Sequence, residues 1–168
     1  ERKLVVAGVE LNNADRLLLV VEDGDAIIED VSGNDLERII VTGPEDVEMV
    51  VASITDTPGD SDDLSGKFSG LDSDDLVAID GSGVAGVFTL TLTGSADLSG
   101  VTLTGIDALC IDPDAAATLT MTADQLVALG AVLEAKSGPV VLNVVDMGDQ
   151  PLDLSALVSD DLTIGTVT

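Results

Sequence analysis

The side chains best placed for chemistry in this chain are aspartates spaced two residues apart. Asp23-Gly-Asp25 and Asp112-Pro-Asp114 are pairs, and Asp60, Asp62 and Asp63, like Asp72, Asp74 and Asp75, form triplets. Calcium takes roughly six to eight oxygen ligands, drawn from carboxylates and backbone carbonyls in a bent loop. Two aspartates flanking a Gly or Ser can offer their carboxylates to one side of such a bend. These ten aspartates are therefore the candidate metal ligands, calcium is the expected cofactor, and the stretch from Asp56 to Asp75 is the richest. A plainer reading competes with it. Aspartate is short and favours turns, where its carboxylate caps nearby backbone N–H groups.

Other chemistries find less support. Cys110 sits in the apolar run Ala108-Leu-Cys-Ile111, and the chain has no histidine to activate it. It is expected to be a small buried residue and not a nucleophile. A carboxylate pair could in principle hydrolyse glycosides, but a sugar groove wants aromatic platforms. Phe68 and Phe88 are the only aromatic residues, and Arg2, Arg16 and Arg38 the only arginines. The chain is not expected to be an enzyme. Threonines alternate through Thr89/Thr91/Thr93, Thr102/Thr104, Thr118/Thr120/Thr122 and Thr163/Thr166/Thr168. A flat ladder of such hydroxyls would suit a mineral or ice surface, although threonine is also simply a favoured outward strand residue.

Charge limits the partners. Thirty-two acidic residues against six basic ones leave a net charge of −26. A phosphate backbone would be repelled, which excludes nucleic acid, and anionic membrane surfaces are disfavoured for the same reason. No run of about 20 apolar residues suggests a transmembrane helix. Aspartate outnumbers glutamate by 24 to 8, so the charge belongs to turns and not to helix faces. Self-repulsion of this size calls for cations or salt.

The elements that hold these turns are short β-branched runs bounded by Gly, Asp, Asn or Pro. Leu17–Val21, Ile39–Thr42, Val47–Val51, Leu76–Ile79, Val87–Thr93, Val101–Thr104, Ala117–Thr122, Val140–Val145 and Leu162–Thr168 read as strands. With apolar residues at 45% and aromatics at 1%, the core is aliphatic, as in thin stacked layers. Repeats support stacking. Asp30-Val-Ser-Gly33, Asp63-Leu-Ser-Gly66 and Asp97-Leu-Ser-Gly100 recur at spacings of 33 and 34 residues, with a weaker copy at Asp153-Leu-Ser-Ala156. Asn34–Thr42, Leu71–Ile79 and Ile106–Asp112 align after them. The unit Ala14–Ile28 has the same strand-turn-strand form. The expected fold is all-β: a parallel β-solenoid of roughly seven or eight coils, residues 1–168 forming one repeat-built domain that is a fragment of a longer chain. A β-sandwich is the alternative, since alternating strands and Asp-Gly turns suit both. One helix is expected near residues 123–136, with Thr122 and Gln125 as a capping box, Lys136 at its end, and Leu126, Leu129 and Leu133 on one face.

The run Asp97-Leu-Ser-Gly-Val-Thr-Leu-Thr-Gly-Ile-Asp-Ala-Leu109, followed by Ala117–Leu126, resembles repeats of bacterial surface-layer proteins and large type I-secreted adhesins. The likeness covers roughly residues 30–168. The Gly-Gly-x-Gly-x-Asp nonapeptide of calcium-binding β-rolls is missing. The resemblance implies a secreted or cell-surface, non-catalytic structural module. Its expected partners are like subunits, neighbouring repeats of the same chain, or a cell-surface glycan. A module that binds a glycan, mineral or ice surface is the alternative function.

Overall fold

A computed structural model describes residues 3–11, 16–33, 36–51, 54–55, 71–72, 76–129, 132–147 and 162–168. The chain winds as a β-solenoid of about five turns. The first turn holds β1 (Lys3–Val6), β2 (Val9–Leu11) and β3 (Arg16–Val20), and the second β4 (Asp25–Gly33), which serves two faces, and β5 (Arg38–Gly43). Next come β6 (Val47–Val51), β7 (Ile54–Thr55), β8 (Leu71–Asp72) and β9 (Ala78–Val84). The fourth turn holds β10 (Phe88–Leu92), β11 (Ala96–Asp97) and β12 (Thr102–Thr104). The fifth holds β13 (Ala108–Ile111), β14 (Ala117–Thr122) and α1 (Ala123–Leu129), followed by β15 (Val132–Ala135), β16 (Val140–Val145) and β17 (Leu162–Val167).

Three parallel ladders build the walls. The first stacks β1, β4, β6, β10, β13 and β15. The second runs from β2 through the far half of β4, then β8, β7, β11, β14, β16 and β17. The third is shorter: β3, β5, β9 and β12. Every pairing is parallel, which rules out the antiparallel sandwich. Strands placed by sequence at Leu17–Val21, Ile39–Thr42, Val47–Val51, Ala117–Thr122 and Val140–Val145 are all found within a residue of their bounds.

The coil count and repeat length differ from expectation. Lys3 pairs with Asp25, Val9 with Val31 and Arg16 with Arg38, so one turn takes 22 residues and uses three faces. The third turn is longer, with Arg38 pairing to Ala78 and Val47 to Phe88. Five turns therefore consume what a two-strand unit would spread over seven or eight. Lengthening a turn costs only slowly growing loop entropy, so the stack tolerates it. The Asp-x-Ser-Gly spacing is not the turn length either. Gly33 and Ile54 both pair with Leu71, and Ile54 pairs with Ala96. Asp30 thus lies before that rung and Asp97 just after it. The copies at Asp30 and Asp97 lie at corners, and those at Asp63 and Asp153 lie outside the described residues. Laid residue for residue, Asn34–Thr42 and Leu71–Ile79 set Ile39 against Leu76, but the ladder runs three residues further on and pairs Ile39 with Ile79, and Ile106–Asp112 belongs to the next face, where Ala108 pairs with Thr89.

Period two explains the core. Along β6, β14 and β16 alternate residues are buried, and parallel register stacks them in columns. Ile28, Met49, Leu90, Leu109 and Leu133 form one column, and Leu17, Ile39, Ile79 and Leu103 another. Phe88, fully buried, is the bulky exception. Gly81 makes room for it: a Cβ there would lie 2.0 Å from the ring's Cδ1 and 2.8 Å from the Gly105 carbonyl oxygen.

The helix is half the expected length. Its start is as read: the Gln125 N–H donates to Thr122 Oγ1 (3.1 Å) and the Thr122 N–H to Gln125 Oε1 (2.8 Å). Its second half is strand β15. Leu133 is buried against Leu109 instead of sharing a helix face with Leu126 and Leu129. Gly130 weakens the helical run, and the aliphatic column beneath offers Leu133 a better partner. Lys136 consequently does not end the helix, and its N–H donates to the Ile111 carbonyl (2.8 Å).

Candidate functional site

Five of the ten predicted ligands, Asp60, Asp62, Asp63, Asp74 and Asp75, lie outside the described residues, and Asp72 is placed only as backbone in β8. Asp23 and Asp25 flank Gly24, whose φ of 78° makes the corner between the third and first faces. Asp112 and Asp114 lie at the corner between β13 and β14. The two pairs occupy different corners and are not brought together. The Asp112 carboxylate already accepts a short hydrogen bond from Ser137 Oγ. Among the described residues, no group of three or more His, Cys, Asp or Glu side chains is placed to hold a metal.

Four aspartates among the described residues cap the backbone, two of them between turns. The Val87 N–H donates to Asp46 Oδ1 and the Phe88 N–H to Asp107 Oδ2, both at 2.8 Å. These two carboxylates, one from each neighbouring turn, fix where β10 begins. Asp80 Oδ1 accepts from Ser82 Oγ (2.6 Å) and the Ser82 N–H (3.0 Å), and Asp97 Oδ1 does the same with Ser99 at 2.6 and 3.0 Å. The side-chain and then the backbone bond from Ser82, helped by the Arg38 charge, hold the Asp80 carboxyl below the usual carboxylate range. The Asp-x-Ser spacing carried a legible signal for Asp80 and Asp97. Asp46 and Asp107 carried none, because their partners are 41 and 19 residues away.

Cys110 is buried as expected but on the outer side of its sheet. It pairs in register with Thr91 and Glu134. Thr91 Oγ1 donates to Glu48 Oε1 (3.1 Å), Lys136 Nζ lies 3.9 Å from the same oxygen, and Cys110 Sγ is 4.0 Å from Glu134 Oε2. Burial, more than the neighbouring carboxylates, pushes the Cys110 thiol up, against the opposing pull of Lys136. A protonated thiol under a polar lid is a packing group and a poor nucleophile.

The threonines do not stack. Thr118, Thr120 and Thr122 face Val141, Asn143 and Val145, and Thr89 and Thr91 lie between Glu48 or Val50 and Ala108 or Cys110. In the described ladders no threonine pairs with a threonine of the next rung.

One concavity stands out. A cleft of about 530 Å³ runs between α1 and the β12 corner. Val101, Leu103, Ile106 and Leu129 supply apolar lining, and Thr102, Asp124 and Gln125 polar groups. Gln125 anchors the helix there, its Nε2 donating to the carbonyls of Leu98 (2.5 Å) and Val101 (2.7 Å). No known protein family, curated protein or solved structure matches the chain.

Proposed function

We propose that the chain is a non-catalytic structural module of a bacterial cell-surface layer, fibre or secreted adhesin, stabilised by calcium and self-associating through its end strands. The surface setting rests on the resemblance of the Asp97–Leu109 and Ala117–Leu126 runs to surface-layer and adhesin repeats. The observation that carries assembly is the open ladder. Among the described residues, β1, β2 and β3 pair on one side alone, as does β17, while β4, β6, β10 and β13 of the first ladder and the strands between β2 and β17 in the second pair on both. Unpaired edges are templates for another chain or further coils. Leu4, Val5, Ile164 and Val167 are exposed at these ends, adding apolar area to the free backbone groups. A net charge of −26 opposes association until divalent cations neutralise the corners.

Light scattering and calorimetry before and after chelation test the proposal. Calcium is expected to raise the melting temperature and drive concentration-dependent growth. A 17.0 kDa species in both conditions, with an unshifted melting temperature and no calcium heat, would overturn it. The alternative, a surface ligand-binding module, gains nothing from the threonines for a mineral or ice face. It gains support only from the cleft beside α1.

A further inference from the structure

Among the described residues the third ladder stops early. It ends at β12, whereas the first continues through β13 and β15 and the second through β14, β16 and β17. The segment that follows β14 on its way to β15 is α1, so a helix stands where the next third-face strand would run. A helix cannot continue a ladder, because its own backbone groups are used internally. The edge of β12 facing it is left without a strand.

Parity identifies the free groups. In a parallel ladder alternate residues bond to the same neighbour. The Thr102 N–H donates to the Val77 carbonyl (2.9 Å), toward β9. Thr102 and Thr104 therefore turn their backbone groups to β9 and Leu103 turns its own to the cleft, while the Val101 N–H is already used by the Leu98 carbonyl (2.9 Å). Gln125 already takes the Val101 carbonyl with its side-chain amide at 2.7 Å. The Leu103 N–H and C=O meet no strand on that side among the described residues. The opposite wall is a stripe of α1, Asp124, Gln125, Ala128 and Leu129. Residues at these spacings share one helix face, so both walls run lengthwise and leave a slot between them. At about 530 Å³ it lies within the usual range of ligand clefts.

We propose that this slot is a β-augmentation site that accepts a short, extended, basic peptide segment as an added strand beside β12. Main-chain hydrogen bonds to Leu103 supply affinity, and alternate side chains supply selectivity. One set of alternate side chains turns inward toward Val101, Ile106 and Leu129 and should be aliphatic. The other turns outward past Thr102 and exposed Asp124 and should be cationic. Without divalent cations, charge selects this occupant over a second copy of the chain, since two bodies of −26 repel, whereas a basic segment is drawn in by the whole field.

The test uses the intact chain at about 0.15 M salt, where long-range charge effects are largely screened. A capped lysine–valine–lysine–valine–lysine peptide is titrated while amide exchange of Leu103 is followed. Saturable binding should slow Leu103 exchange at least tenfold. N-methylating every residue of the peptide keeps the charge but removes the pairing N–H groups whichever way the added strand runs, and should weaken binding at least tenfold. Asp124→Lys should weaken binding similarly without shifting the melting temperature by more than a few degrees. Equal binding of the N-methylated peptide, unchanged Leu103 exchange at saturation, or no saturable binding overturns the proposal. Leu103 protection that rises with protein concentration alone would assign the slot to a second copy, and also overturns it.

Discussion

Gly81, where an added Cβ would come nearest a neighbour among the described glycines, gives a prediction whose sign can be worked out beforehand. Gly81 is not held at a positive φ, so an alanine there meets no backbone strain and the effect is steric. In the unfolded chain alanine has less entropy to lose than glycine, which favours the folded variant by about 0.4–1 kcal/mol. Against this, the added Cβ would sit 2.0 Å from Phe88 Cδ1, 2.6 Å from Cε1 and 2.8 Å from the Gly105 carbonyl oxygen. Ordinary contact begins near 3.4 Å, so the ring would have to move by more than an ångström. Phe88 is fully buried, with buried Val47 in register beside it, and has no free space to enter. Overpacking costs about 1–3 kcal/mol, so Gly81→Ala should destabilise by roughly 1–2 kcal/mol net. Phe88→Leu alone should cost roughly 1–3 kcal/mol through the cavity it leaves. In the double variant the smaller side chain accepts the methyl, and the total should fall short of the sum by about 1 kcal/mol. The remaining contact with the Gly105 carbonyl keeps the rescue partial. Urea unfolding of the four proteins at one fixed salt concentration measures the cycle. If Gly81→Ala unfolds at or above the wild-type midpoint, or the two costs add, the steric account is wrong.

Three further outcomes follow from the hydrogen bonds and titrating groups. Asp80 has its folded carboxyl pKa held down, so its contribution to stability is present above the ordinary aspartate value and is lost as pH falls from there through the lowered folded one. The stability gap between wild type and Asp80→Asn, read by denaturation across pH, should be constant near neutrality and close below about pH 4. Cys110, buried with its pKa raised, should resist alkylation at pH 7–8 in the folded chain and react promptly in denaturant, as followed by mass spectrometry. Gln125→Leu removes the helix cap and takes the side-chain amide from the Leu98 and Val101 carbonyls, of which Leu98 keeps the Val101 N–H (2.9 Å) as donor. It should cost about 1–3 kcal/mol by thermal unfolding, and it should speed amide exchange through residues 123–129 more than in β10.

The extent of legibility follows from how far each determinant reaches along the chain. Strand positions were readable because alternation is local: Val47, Met49 and Val51 alternate with Glu48 and Val50 whatever they pack against. The helix cap was readable because Thr122 and Gln125 are three residues apart. The helix end was not, since Leu133 is claimed by Leu109, a partner 24 residues away whose column exists only once the turns stack. The number of faces was hidden for the same reason. Period two says that a strand is half buried but not how many strands close a turn. Corner aspartates show the limit most clearly, because the sequence cannot separate a ligand from a cap. In the described part of the chain the carboxylates of Asp46, Asp80, Asp97 and Asp107 cap backbone N–H groups.

That division bears on where function can reside in such a fold. In a stack of near-equal turns, stability is roughly a sum over neighbouring contacts, so a regular rung has no feature its neighbours lack. Capping carboxylates belong to this regular part; they set where strands begin and recur at corner after corner. A specific partner needs a place where the sum is interrupted. Among the described residues such an interruption, with a wall on each side, is the fifth turn, where α1 follows β14. Gln125 compensates by pairing the Leu98 and Val101 carbonyls, but its single amide cannot reach the Leu103 pair as well. A strand in place of α1 would have satisfied all of them and closed the slot. The helix therefore leaves one rung's pairing incomplete, and that incompleteness is what a passing extended segment can recognise.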